Sequence, residues 1–307
     1  MKMISNIVFT KNRPLQLEAY LESLYRYFPR ELIQTYIIYK RELFEEEYQQ
    51  LFSKYADCIV IKENDFHGDF LKLLSQINTK FILFGVDDVV YFDSVDFEII
   101  DESFNRFPKD IFGFSLRFGK EILEDDDVIA DVEVAGHKVH RVDWKQGQTP
   151  NSRYPFELCA TVYKTELVKK IIAGTMNSNP LAKRLFCPSS AFMRAMNKVV
   201  SVRSTLKRFG YFFSPNTLES WNCRWAQNHS EQMPDYLYFQ KICASAIQVN
   251  MVNTLTKDDF DSAAEYTVEA LNERYKSGYR LDIDFVARNK PAATHCGVES
   301  FKLTKNL

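Results

Sequence analysis

Four short apolar runs, at residues 4–9, 35–39, 58–61 and 81–84, alternate with three segments of helical periodicity at residues 14–28, 42–55 and 69–77. That order constrains the fold more than any other feature of the chain. Strands that follow one another through helices pair in parallel with right-handed crossovers, and helices then cover both faces of the sheet. The helical segments carry the apolar spacing this needs. Leu17, Leu21, Leu24 and Phe28 recur in the first, with Pro14 in its opening turn, and Leu43, Tyr48, Leu51 and Phe52 recur in the second. The expectation is an α/β fold built on a mainly parallel, doubly wound sheet.

Beyond residue 90 the pattern is less regular. A helix is expected over 94–107, a strand over 111–117, a hairpin over 132–142, and a buried strand over 158–163 followed by a helix over 165–173. Thr256 is expected to cap an amphipathic helix with Phe260, Ala263, Ala264, Val268, Leu271 and Tyr275 on one face. No repeat or low-complexity linker divides the chain, so one continuous domain over 1–307 is expected.

The run at 81–92 is the most informative chemically. It reads as a fully buried strand that delivers Asp87 and Asp88 side by side near its tip. Adjacent buried carboxylates need a cation, a basic group or water nearby. Ligands of open α/β sheets sit beyond the carboxyl ends of the strands. A divalent cation holding a diphosphate satisfies both statements; a solvated acidic turn or a helix cap is the plain alternative.

Composition excludes several classes. A net charge of −2 over 307 residues gives no general affinity for nucleic acid. Six cysteines without C-x-x-C spacing argue against a zinc site and for reduced thiols in the cytoplasm. No apolar run approaches the ~18 residues that span a bilayer. There is no glycine before Gly68, which disfavours both a dinucleotide fingerprint and the Gly-rich loop of a nucleotidyltransferase.

Thr10-Lys11-Asn12-Arg13-Pro14 follows the first strand directly and resembles the T-x-N-R-P turn of family 2 glycosyltransferases of the GT-A fold. Asn64-Asp65-Phe66-His67-Gly68 after the third strand is similar to that family's N-x-G loop. Asp87-Asp88 looks like its D-x-D site with Val86 in the first place, and residues 158–166 resemble the strand and helix behind the acceptor. The likeness covers roughly residues 4–172. It implies a nucleotide half at 1–115, an acceptor half at 116–250 and a C-terminal helix and tail at 251–307. It further implies a metal-dependent, inverting hexosyltransferase using Mn²⁺ or Mg²⁺, with a nucleotide-diphosphate sugar as donor and a glycan hydroxyl as acceptor; separately, the basic, aromatic-rich stretch after Leu167 would suit a lipid-linked or surface-polysaccharide acceptor and peripheral membrane contact. Thr10, Asn12, Arg13, Gly68, Asp87 and Asp88 would then face the donor. Thr10, Asn12 and Arg13 would otherwise only cap the helix at Pro14. A nucleotidyltransferase and a non-catalytic glycan-binding protein of the same fold are the rival classes.

Inversion requires a general base for the acceptor hydroxyl. Glu219 is the first candidate, at a helix start beside Trp221; its spacing from Asn216 also fits a capping box. Glu157 and Asp143, next to Trp144, follow. By the family likeness, His295 would join Asp88 at the metal, and a structural histidine is its plain reading. The acids at 124–127 form a competing cluster best read as a solvated loop. Between Leu167 and Leu218 there are nine lysines and arginines and no acid, which reads either as a basic face or as an anion site for phosphate or an anionic surface.

Overall fold

The computed structural model describes residues 2–120, 122, 129–178, 211–250 and 264–305. The first third follows the expected alternation: β1 (Ile4–Lys11), α1 (Pro14–Tyr27), β2 (Ile33–Lys40), α2 (Glu45–Lys54), β3 (Ile59–Lys62), α3 (Phe66–Gln76) and β4 (Phe81–Val86). After it come β5 (Val89–Tyr91), α4 (Phe97–Arg106), β6 (Ile111–Ser115), β7 (Ile129–Val134), β8 (His137–Val142), β9 (Thr161–Lys164) and α5 (Thr165–Asn177). The remaining elements are α6 (Pro215–Asn228), β10 (Asp235–Phe239), β11 (Ala244–Ile247), α7 (Val268–Lys276), β12 (Tyr279–Leu281), α8 (Ile283–Arg288), β13 (His295–Cys296) and β14 (Leu303–Lys305).

The large sheet runs β3-β2-β1-β4-β9-β6-β10-β8-β7. Its first four strands are parallel, as the helical crossovers demand. The second half is mixed: β9 lies antiparallel between β4 and β6, β10 is parallel to β6, and β8 returns antiparallel to β10. The β7–β8 hairpin closes through Ala135 and Gly136, whose φ of 51° and 76° suit a tight primed turn. Alternate residues of each central strand enter two cores. Ile4, Val8, Phe81 and Leu83 meet α1, α2 and α4; Ile7, Phe9, Ile82 and Phe84 meet α3, α5 and α6. Helices on both faces are therefore observed.

A third core joins Leu15 and Ala19 of α1 and Val90 of β5 to Leu271 and Tyr275 of α7, Val286 of α8 and Phe301. Buried Glu18 of α1 seals this junction, pairing with Arg280 at 2.7 Å and with Lys54. Asn272 adds a bond to Glu47 at 3.0 Å. The C-terminal segment is thus tied to α1 and α2, and it delivers β13 beside β11 in a small sheet with β5.

Several expected elements differ. The strand at 158–163 begins only at Thr161, because Ala160 turns the chain with φ 52°. The late helix begins at Val268 under a Thr267 cap, after a 3-10 turn at Ala264–Tyr266, so 264–275 is not one helix as periodicity suggested. Thr256, Phe260 and Ala263 lie outside the described residues, as do the acids at 124–127 and seven of the nine basic residues between Leu167 and Leu218. Lys169, one of the two described, donates to Ile77 O at 2.8 Å.

Gly85 shows how closely β4 packs on α1. A Cβ there would overlap the Tyr20 hydroxyl, which donates to Asn6 Oδ1 at 2.7 Å. Gly85→Ala is expected to cost about 1–3 kcal/mol through overpacking, read as a lowered midpoint of urea unfolding with an unchanged slope.

Candidate active site

Asp87 and Asp88 form the two-residue connection between β4 and β5, at the carboxyl end of the parallel strands. The turn is fixed from both sides: Asp87 N–H donates to Phe9 O at 3.2 Å, and Ile247 N–H donates to Asp88 O at 2.8 Å. The two side chains differ in access. Asp87 is 1% exposed and Asp88 14%.

The basic group that such a pair requires is Arg13. Its guanidinium pairs with Asp87, reaches Asp88 Oδ2 at 3.4 Å and donates to Asn250 O at 3.0 Å. Its backbone is placed by Asn12, whose φ is 55°, and by Pro14. The Tyr48 hydroxyl accepts from Arg13 N–H at 3.0 Å and bonds Thr10 Oγ1 at 2.8 Å. Asn12 Oδ1 accepts from Leu43 N–H at 3.0 Å. In this structure Thr10, Asn12 and Arg13 therefore spend their polar atoms on framing the turn. Burial pushes the Asp87 carboxyl up to about 6; Arg13 opposes that and Asp88 adds to it. Asp88 Oδ1 is buried and has no hydrogen-bond partner among the described residues.

Gly68 sits in the first turn of α3 rather than in a loop. Its N–H donates to the capping Asp65 at 2.9 Å. The adjacent His67 stacks on Tyr211, with centroids 4.4 Å apart, and burial lowers its pKa to about 4.

A second charged group stands across from the acidic turn. Arg117, two residues past β6, is 5% exposed and pairs with Glu157. Its Nη1 lies 3.2 Å from both Thr294 O and His295 Nε2. Glu157 also accepts from the Thr161 hydroxyl, and its own N–H donates to the Tyr163 hydroxyl at 2.9 Å. His295 is surface-exposed. Partial desolvation, then Arg117, lower its pKa, while Glu157 and Asp88 act against them. Asp88, Arg117 and Glu157 are therefore all within electrostatic reach of His295.

Glu219 lies within electrostatic reach of Glu157 and Arg117. It lies in the second turn of α6, partly exposed, and accepts from Leu158 N–H at 3.2 Å. The capping box of α6 is made by Ser214 and Thr217, so the Asn216–Glu219 pairing that spacing suggested does not form. Burial, then the charge of Glu157, raise the Glu219 carboxyl to about 7, with Tyr154, Arg117 and the Leu158 amide opposing. A carboxyl poised there can exchange a proton near neutrality. Glu157, held by Arg117, is not free in the same way. Asp143 is engaged by Lys145 at 2.8 Å and by Gln146 at 2.7 Å at the end of β8.

A divalent cation carrying a diphosphate needs one or two carboxylates, the rest of its shell coming from phosphate and water. Asp88, with its unpartnered oxygen, fits that demand. His295 in this arrangement does not: Arg117 can only donate, so Nε2 accepts from it, and Nδ1 lies 3.1 Å from Thr294 Oγ1. Among the described residues no three His, Cys, Asp or Glu side chains group as a metal cluster. The sequence carries no sign of Arg117, Tyr154 or Asn250 at this site, and it shows Tyr48 only as an apolar position of α2.

No family model matches the chain. It is similar to the bifunctional glycosyltransferase pgtA of Dictyostelium discoideum, with 23% identity over 190 residues, 55% of this chain and 25% of the relative. The chain thus spans about a quarter of that relative's length. The resemblance to a GT-A-type glycosyltransferase read from the motifs is borne out by this relative at the level of class. Among solved structures, S. aureus TarS 1–349 in complex with UDP is similar at 14% identity, over 55% of this chain and 48% of that one, with a TM-score of 0.39. Its complex with UDP-GlcNAc gives 17%, 55%, 47% and 0.35. The mannosyltransferase PcManGT from Pyrobaculum calidifontis, in complex with GDP-Man and Mn²⁺, gives 11%, 39%, 36% and 0.30. At these TM-scores nothing about the site carries over. No described helix is long and apolar enough to cross a membrane.

Proposed function

We propose that this chain is a glycosyltransferase that moves a sugar from a nucleotide-diphosphate donor to a glycan hydroxyl with inversion, in the cytoplasm, as a single GT-A-type domain. The observation that carries this reading is the shared site itself. Asp88 stands at the strand ends with an oxygen that has no partner among the described residues, and Glu219, raised to about 7, lies within electrostatic reach of the same Arg117 and Glu157 that act on His295. The nearby strain agrees, since Asn12 and Ala160, both at positive φ, border the two ends of the site.

In the proposed reaction Glu219 accepts the proton of the acceptor hydroxyl. The freed oxygen forms the new bond to the anomeric carbon as the carbon–oxygen bond to the diphosphate breaks on the opposite side. Asp88 would hold Mn²⁺ or Mg²⁺, which when bound supplies charge neutralisation for the departing diphosphate. Arg13 and Asp87 keep the turn rigid beneath it. Glu157, pinned by Arg117, holds negative charge near Glu219 and favours uptake of the proton.

The test is a melting-temperature screen of UDP, GDP and their sugar conjugates, each with and without Mn²⁺. A ligand present at a hundred times its Kd stabilises by about 2.7 kcal/mol. One nucleotide is expected to raise the melting temperature only with the metal, and Asp88→Ala is expected to abolish that increment. No shift with any nucleotide sinks the reading. Binding of a glycan without turnover of any donor favours a non-catalytic protein of the same fold.

A further inference from the structure

We propose that Arg117 is the positioning residue that joins the two ends of this site, orienting His295 at the donor end and Glu157 at the base end through one guanidinium. The inference rests on the transferase reading above and assigns Arg117 a role within it.

The argument is geometric. Arg117 lies 178 residues from His295 and 40 from Glu157, yet its buried head group touches both. Nη2 takes Glu157. Nη1 takes the Thr294 carbonyl at 3.2 Å and faces His295 Nε2 at 3.2 Å. A guanidinium has donors in a fixed fork and no acceptor. His295 Nε2 must therefore accept, which leaves the ring proton on Nδ1, within 3.1 Å of Thr294 Oγ1. One residue thus sets the tautomer and the angle of an imidazole exposed at the mouth of the site, beside Asp88. The same fork fixes Glu157, whose other oxygen takes the Thr161 hydroxyl. The next residue, Leu158, gives its N–H to Glu219. Movement of Arg117 would disturb the donor end and the base end together.

A role limited to neutralising Glu157 makes a different prediction. A lysine would then suffice, because it supplies the charge without the fork. Arg117→Lys is expected to fold, because it keeps a positive charge beside Glu157. Its kcat for transfer is expected to fall on the order of 100-fold, the size of loss that a 1 Å misplacement causes. The second readout does not involve turnover. In protein labelled with ¹⁵N-histidine, which holds five histidines, the His295 signal is assigned by His295→Gln. It is expected to show the Nδ1–H tautomer in the parent and to move toward a tautomer mixture in Arg117→Lys. The same change is expected in R117M/E157M, which removes both charges together and so avoids a buried unpaired acid. Wild-type kcat in Arg117→Lys, or one unchanged His295 tautomer in all three proteins, overturns the proposal. Should the parent transfer no sugar, the proposed function fails, and the tautomer measurement still decides the geometry.

Discussion

Glu219→Gln is expected to slow sugar transfer by about 10²–10⁴-fold while leaving nucleotide affinity unchanged. The amide keeps the shape of the side chain and can still accept from Leu158 N–H, so a loss of rate reports the missing proton acceptor. The parent's pH profile sharpens the test. With its carboxyl raised to about 7 by burial and by Glu157, Glu219 is protonated and inactive as a base below that value. The rate should therefore climb through neutrality, and the climb should vanish in Glu219→Gln. Stability should run the other way. A carboxyl whose folded-state pKa lies above its unfolded value supports the fold below the unfolded value, and that support is lost as pH rises through about 7. The glutamine variant, which never ionises, should thus be at least as stable as the parent at pH 8 while far less active. Such opposition of stability and activity is expected where function holds a group in an unfavourable state. A glutamine variant with parental kcat and a retained pH limb would remove Glu219 from the chemistry and return attention to Glu157.

The legible parts of this protein and the illegible ones divide along a physical line. The β1–β4 half was readable because its short apolar runs are separated by helices long enough to show a period, and that alternation admits few topologies. Asp87 and Asp88 were conspicuous because two charges at the tip of an apolar run contradict their surroundings. Arg117 carried no such signal. It follows an ordinary strand in Phe114-Ser115-Leu116-Arg117-Phe118, and its partners are far away in sequence. Strands of two to four residues, such as β5, β11 and β13, are too short for any periodicity and exist because the third core and the turn at Asp88 hold them in register. Ala264 and Val268 have helical spacing, but Thr267 adopts an extended conformation, with ψ 157°, and its side chain caps the next helix. A local hydrogen bond outcompeted the periodic pattern there. Glu219 does lie near a helix start, but the Leu158 amide holds it and not a capping pair with Asn216, a long-range contact that local spacing does not reveal.

Arg13→Met should produce the largest loss of stability of any change considered. Adjacent carboxylates in the β4–β5 turn are tolerated because one guanidinium serves both, and removing one partner of a buried pair costs about 3–5 kcal/mol. The acid most affected is Asp87, which is 1% exposed and which nothing but Arg13 neutralises among the charged groups described. The deficit should depend on pH in a definite direction. Burial and Asp88 already hold the Asp87 carboxyl near 6 against the pull of Arg13, so without Arg13 it rises further. A protonated Asp87 is tolerable inside the turn and an ionised one is not. The gap in unfolding free energy between parent and variant should accordingly be small at pH 5 and widen as pH rises toward 8. Asp87→Asn in the Arg13→Met background should recover most of the loss at pH 8, because it removes the buried charge without changing the shape of the turn. Equilibrium urea unfolding of the parent, the single variant and the double variant at the two pH values decides the matter. Equal deficits at pH 5 and pH 8, or no recovery in the double variant, would mean that Arg13 stabilises the turn through packing and its bond to Asn250 O rather than by neutralising the acids, and the account of how this strand tip tolerates two carboxylates would have to be rebuilt around Asp88 alone.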